Sequence, residues 1–237
     1  MKLVLLVSLI FSSSVFAGGI CDRGEDVRNK LLKNLGMKRC ADVTAKDLEE
    51  VTDLVIIYDW GNHKGDKTKM KTITKEDLAG LVNLNELVIQ FSEIESLAED
   101  TFWHLKNLRM LDFSHNLLKK FPKKLFAGQK DLRYLELDSN PMEGGKFPVG
   151  LFKGLESVVE LDLDELGLTE IQPGLFSDLG NLKSLDLTEN ELNTFSADSF
   201  MGLRALEELE IQGNPLKGLD KSVFSKFPKG TVVYEWE

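Results

Sequence analysis

LRMLDFSHNLLKKFPKKLFAGQKD, residues 108–131, and LKSLDLTENELNTFSADSFMGLRA, residues 182–205, agree at their apolar positions along their whole length. LEELEIQGNPLKGLDKSVFSKFPK, residues 206–229, repeats the pattern. Each reads L-x-x-L-x-(L/F/I)-x-x-N-x-L-x-x-L/F-x-x-x-x-F, with a period of 24. Further units begin at Val51, Leu84, Leu132 and Val158, which makes seven. The unit from Leu132 carries two extra residues around Gly144 and Gly145, and the first is lengthened by GNHKGDKTKMK, residues 61–71. A fixed period of this size marks a solenoid, because no single unit can cover its own leucines and each must stack on its neighbours.

Each recurring position has a physical role. Alternation around Leu111 and Phe113 predicts a short strand with one face buried. Stacked units then pair these strands in parallel. Phe102, Phe126, Phe152, Phe176, Phe200 and Phe224 fall on the far side of each coil and predict an aromatic spine, with Leu78 in the first unit's place. Asn116, Asn140, Asn190 and Asn214 end the strands, where an amide can bond backbone groups of its own and adjacent units. Asp59 and Ser92 substitute in part. Leu166 cannot, so the turn at ELGL, residues 165–168, is expected to differ locally.

Residues 51–229 resemble an extracellular leucine-rich-repeat protein of the type with a phenylalanine near the end of each unit. The resemblance implies an α/β solenoid, a right-handed horseshoe with a parallel β-sheet on its concave face. Residues 18–50 resemble the cysteine-containing, helical N-terminal cap of bacterial secreted members. Within them Val27, Leu31, Leu32 and Leu35 share a helical face ending at Gly36, and Thr44 with Asp47 makes a capping box for a second helix. TVVYEWE, residues 231–237, alternates Val232, Tyr234 and Trp236, and residues 230–237 are expected to form a closing strand.

MKLVLLVSLIFSSSVFAGG has the three parts of a secretory leader: Lys2, an apolar run from Leu3 to Phe11, and Val15 and Ala17 before a cut at Gly18. Residues 1–17 are therefore read as a removed signal. Its apolar run is too short to span a bilayer, which needs roughly 20 residues. Export to the periplasm, cell surface or medium makes Cys21 and Cys40, the only cysteines, an expected disulfide. The formal charge of -10 falls by one more when Lys2 leaves. That balance disfavours nucleic acid and anionic membrane as partners and favours a cationic one.

The outward positions of the strands decide the functional reading. The middle one runs Val55, Val88, Asp112, Glu136, Asp162, Asp186, Glu210. The one before runs Asp53, Glu86, Met110, Tyr134, Glu160, Ser184, Glu208, and the one after Ile57, Gln90, Ser114, Asp138, Asp164, Thr188, Gln212. Eleven of these twenty-one are acidic and none is basic. Like charges at strand spacing repel by about 1 kcal/mol per pair even in water. Arg109, Arg133 and Lys183 flank the strands and can relieve part of this. Lysines gather elsewhere, at Lys119, Lys120, Lys123, Lys124 and Lys130 and at Lys64, Lys67, Lys69 and Lys71. The expected docking face for a basic protein comprises Asp112, Glu136, Asp138, Glu160, Asp162, Asp164, Asp186, Glu208 and Glu210, with Glu165 and Glu189 outlying. Val55, Ile57, Tyr58, Val88 and Phe91 form an adjoining apolar anchor beside the insertion. The competing account is a solvated acidic surface with no ligand.

Catalysis finds little support. DFSHN, residues 112–116, holds Asp112, Ser114 and His115, but neighbours on a strand point to opposite faces and no oxyanion hole accompanies them. His63 and His104 lack zinc-ligand spacing. Asp162, Asp164 and Asp186 could approach calcium, which demands six to eight converging oxygens. The expectation is a secreted, non-enzymatic recognition protein without a cofactor. The alternatives are an envelope or adhesion element and a calcium- or glycan-binding protein.

Overall fold

The computed structural model describes residues 20–58, 69–196, 198–216 and 220–235. The leader, the insertion lysines Lys64 and Lys67, Asp59 and Trp236 lie outside that range. Each of the seven units contributes one strand, β1 (Asp53–Ile57), β2 (Glu86–Gln90), β3 (Met110–Asp112), β4 (Tyr134–Glu136), β5 (Glu160–Asp162), β6 (Ser184–Asp186) and β7 (Glu208–Glu210), and the closing segment adds β8 (Val232–Tyr234). They form one parallel sheet in chain order. Leu54, Leu87, Leu111, Leu135, Leu161, Leu185 and Leu209 are direct partners along the ladder and are buried. A slip of one residue would turn all of these leucines to water, so the leucine row locks the register.

Behind the sheet, Phe102, Phe126, Phe152 and Phe176 stack at 6.4, 6.4 and 6.1 Å between successive rings. Phe200 and Phe224 continue the row but tilt, and join Phe195 and Phe227 in a separate cluster. The expected single spine is thus two packings.

The asparagines behave as expected. Asn140 Nδ2 donates to the carbonyls of Phe113, Leu137 and Asp138, while its Oδ1 accepts from Leu118 N–H in the preceding unit at 2.9 Å. The turn at Leu166 corrects the expectation. Glu165 has φ 48°, matching His115, Ser139 and Glu189 at 52°, 51° and 49°. Asn190 Oδ1 holds the N–H groups of both Leu166 and Leu168. The missing amide is felt one unit earlier: Met142 N–H turns to its own strand end, Asn140 O, at 2.8 Å. Leu216 N–H does the same with Asn214 O.

Two helices, α1 (Glu25–Asn34) and α2 (Ala45–Glu49), precede β1. Gly36, at φ 65°, ends α1 with the paired bonds Met37 N–H to Leu32 O and Gly36 N–H to Lys33 O, a Schellman closure that a left-handed glycine permits. Thr44 and Asp47 form the capping box of α2. Cys21 and Cys40 are disulfide-bonded. Buried Arg23 donates to the carbonyls of Asp77 and Ala79, tying this segment to the first repeat. Burial holds that guanidinium down to about 10, partly offset by the Asp77 charge. No helix among the described residues is long and apolar enough to cross a membrane.

Candidate functional site

The leucine register carries the outward side chains with it. Val55, Val88, Asp112, Glu136, Asp162, Asp186, Glu210 and Tyr234 are consecutive partners across eight strands. Five carboxylates therefore stand side by side at the inter-strand spacing of about 4.8 Å. Glu160 and Glu208 flank them from the preceding outward position, each exposed. Asp138 and Asp164 flank from the following one, each half-buried.

The five are not equivalent. Asp112 is buried, with 2% of its surface exposed. Gln90 Nε2 donates to its Oδ2 at 2.6 Å, and Ser114 donates to Oδ1 from both N–H (2.9 Å) and Oγ (2.8 Å). This corrects its place among the docking carboxylates: its lone pairs are used within the protein. The same bonds take Ser114 away from His115, whose ring stacks on Phe91 at 4.3 Å and whose Nε2 lies 3.8 Å from Asp138 Oδ2. DFSHN is a strand end, with each polar group assigned to a different neighbour. Among the described residues, Asp162 and Asp186 accept one backbone bond each, from Asp164 N–H and Thr188 N–H.

Burial and crowding push the carboxyls up. Glu136 rises to about 8, through burial first and then the Asp112 charge, to which it also hydrogen-bonds. Asp138 reaches about 7 through burial and then Asp162 and Asp164. Burial brings Asp162 to about 6, against the Asp164 N–H bond and with Asp186 and Glu210 adding repulsion. Asp164 reaches about 6 through burial and then Asp162 and Asp186. Glu210 is raised for the same reasons. Lys183, expected to relieve the column, instead bonds Glu207 at 2.7 Å. Lys119 faces Glu95 and Lys146 faces Glu170, across units and off the column. The shallow hollow over the sheet, about 200 Å³, is lined by Tyr134, Glu136, Glu160, Asp162, Asp186 and Glu210 among others, without a basic residue.

Asp162, Asp164 and Asp186 bring one oxygen each to within 4.8 Å of one another. Those three oxygens are half or fewer of the six to eight that calcium takes. The apolar anchor is smaller than expected. Val88 is buried, Val55, Tyr58 and Phe91 are half-buried, Phe91 lies against His115, and only Ile57 is well exposed, at 56%.

A leucine-rich-repeat family profile matches residues 68–142 and 156–216, more than half of the chain. The chain belongs to the leucine-rich-repeat family. Rat osteomodulin is 33% identical over 108 residues, 45% of this chain and 23% of that protein. Biglycan from Xenopus laevis is 39% identical over 51 residues, 22% of this chain and 14% of that one. The chain thus spans a quarter or less of these relatives. Among solved structures, an internalin from Listeria monocytogenes superposes with TM-score 0.67 at 19% identity, covering 89% of this chain and 54% of the other. A chain of the Toll–Spätzle complex from Drosophila superposes with TM-score 0.65 at 25% identity, covering 71% and 22%. These establish the horseshoe.

Repeat logic located the acidic column but missed the pinning of Asp112. The signal was present as D-x-S in residues 112–114, a spacing at which an aspartate accepts from the backbone two residues on. The second partner, Gln90, sits one repeat earlier at the adjoining outward position, and its reach required the register.

Proposed function

We propose that this leucine-rich-repeat protein is exported and binds another protein, without catalysing a reaction, through the carboxylates of its concave sheet. The partner is basic. Glu136, Asp138, Glu160, Asp162, Asp164, Asp186, Glu208 and Glu210 would meet its lysines and arginines, with Ile57 and Tyr134 adding apolar contact at one side. The carrying observation is the column of carboxylates in which the charges acting on each member are those of other carboxylates, not of ammonium groups. A cationic surface laid on it would offset the repulsion and compensate the desolvation of the ionised carboxylates, and complementary fields of this kind steer association as well as holding it. The Cys21–Cys40 disulfide supports an oxidising compartment.

Affinity capture from envelope and host extracts tests the reading, with the full chain compared against a Glu136→Gln, Asp162→Asn, Asp186→Asn variant. Proteins retained by the first and lost by the second should be basic and should elute as salt rises. An unchanged captured set would sink the proposal. A Tm rise on adding calcium, absent from Asp164→Asn, would instead favour an ion-charged face. Salt-resistant association with envelope material from both forms would favour a structural or adhesive role.

A further inference from the structure

Among the described residues no strand covers the outer edge of the first strand, and that edge is unusually well made for pairing. β1 and β2 extend over five residues, against three in each later strand. Among the described residues, β1 is the terminal strand of the sheet and pairs only with β2. In a parallel ladder, the N–H and C=O of one residue face the same neighbour and alternate residues face opposite ways. Thr52 O accepts from Asn85 and Glu86, and Tyr58 N–H donates to Gln90 O, so the even-numbered residues from 52 to 58 face β2. Asp53, Val55 and Ile57 therefore face away. Asn34 Nδ2, at the end of α1, bonds Asp53 O at 3.1 Å. The N–H and C=O groups of Val55 and Ile57 have no such partner among the described residues.

A groove of about 300 Å³ runs between this edge and α1, with Val55 and Ile57 on one side and Asp26, Lys30 and Lys33 on the other. Neither lysine is ion-paired among the described residues. Native sheets commonly shorten or cover their edges to prevent pairing with other chains. Here the edge is among the longest strands in the sheet, carries an exposed isoleucine, and lies beside two ammonium groups opposed by one carboxylate.

We propose that the outer edge of β1 accepts an extended segment of a partner protein as an additional strand. The segment carries apolar side chains on alternate residues, against Val55 and Ile57, and carboxylates toward Lys30 and Lys33. Its backbone supplies the N–H and C=O partners of Val55 and Ile57, which gives affinity with little sequence demand, while the side chains and lysines give selectivity. This surface shares Ile57 with the apolar margin of the proposed acidic face, is otherwise distinct from the carboxylate column, and calls for the opposite charge.

The test uses the full chain and an acetylated nine-residue probe peptide alternating valine with threonine and glutamate. Amide hydrogen exchange and fluorescence anisotropy read binding. The probe should protect the Val55 and Ile57 amides. The same peptide with prolines at its pairing positions should not bind. Lys30→Glu with Lys33→Glu should weaken binding about tenfold or more, the equivalent of roughly 1.4 kcal/mol. Ile57→Pro removes an edge donor without touching the β2 ladder, and should abolish binding while near-native circular dichroism shows the fold intact. The Glu136→Gln, Asp162→Asn, Asp186→Asn variant should bind the probe as before, separating this site from the acidic face. Absence of protection at millimolar probe, binding that survives Ile57→Pro, or amides already protected in the free chain would each overturn the proposal, the last because the edge would then be covered by the chain itself.

Discussion

Asp112 and Glu136 are direct partners across two strands, yet they have opposite roles. Asp112 is satisfied by Gln90 and Ser114 and closed from solvent, whereas Glu136 sits half-buried above it, crowded by carboxylates and raised to about 8. Glu136→Gln replaces the carboxyl O–H donor to Asp112 with an amide N–H and removes a charge, so at pH 8 it should stabilise the fold by several tenths to about 1 kcal/mol after solvent screening. Denaturant unfolding reads this directly, and a loss of stability would mean that the carboxylate is held by an attraction. Asn140→Ala should act the other way. It leaves Leu118 N–H without its inter-unit acceptor and removes donors from three carbonyls, a loss on the order of 2–4 kcal/mol. The role of Asn140 was legible from its repeat position alone. The normal turn at Leu166 was not, because the capping atom belongs to Asn190 of the next unit and the lost bond appears at Met142 of the previous one.

Strand order and register were also legible, since any other register would expose a row of leucines. The aromatic row was legible as a row but not as a packing. Phe102 to Phe176 repeat one local geometry, and the spacing becomes irregular where Phe195 and Phe227 add rings near the C-terminal end. Fully buried Phe126 sits between two parallel neighbours, so Phe126→Ala should cost roughly 3–5 kcal/mol. Phe224→Ala should cost less, because that ring is only half-buried. Comparing their denaturant midpoints checks the order, and equal losses would argue against a distinct terminal packing. At the other end, reducing Cys21–Cys40 should cost about 3 kcal/mol by the loop-closure estimate. Its first sign should be faster amide exchange in α1 and β1 relative to β4 and β5.

For the molecule as a whole, the raised carboxyls make stability depend on pH in a defined direction. Below pH 4 they are protonated in both folded and unfolded chains. Between about 4 and 8 the folded state holds protons that the unfolded state has released, so stability falls as pH rises through that window and levels above 8. Asp42, Asp47, Asp100 and Asp220, lowered by local hydrogen bonds, act oppositely but only as pH drops below their ordinary range. A Tm roughly 3–8 °C higher at pH 5 than at pH 8 follows, given a few degrees per kcal/mol for a chain of this size. A basic partner reverses the preference. Its charges favour ionised carboxylates, so its affinity should grow over the same interval with release of protons. The most direct measurement is the side-chain carboxyl NMR spectrum of the ¹³C-labelled chain, recorded with and without the captured partner at pH 7. A docking face on the concave sheet requires the Glu136, Asp138, Asp162 and Asp164 resonances to move together toward their ionised positions, Glu136 and Asp138 the furthest. Those four resonances standing still, while signals from the lysine-bearing outer loops shift, would contradict it.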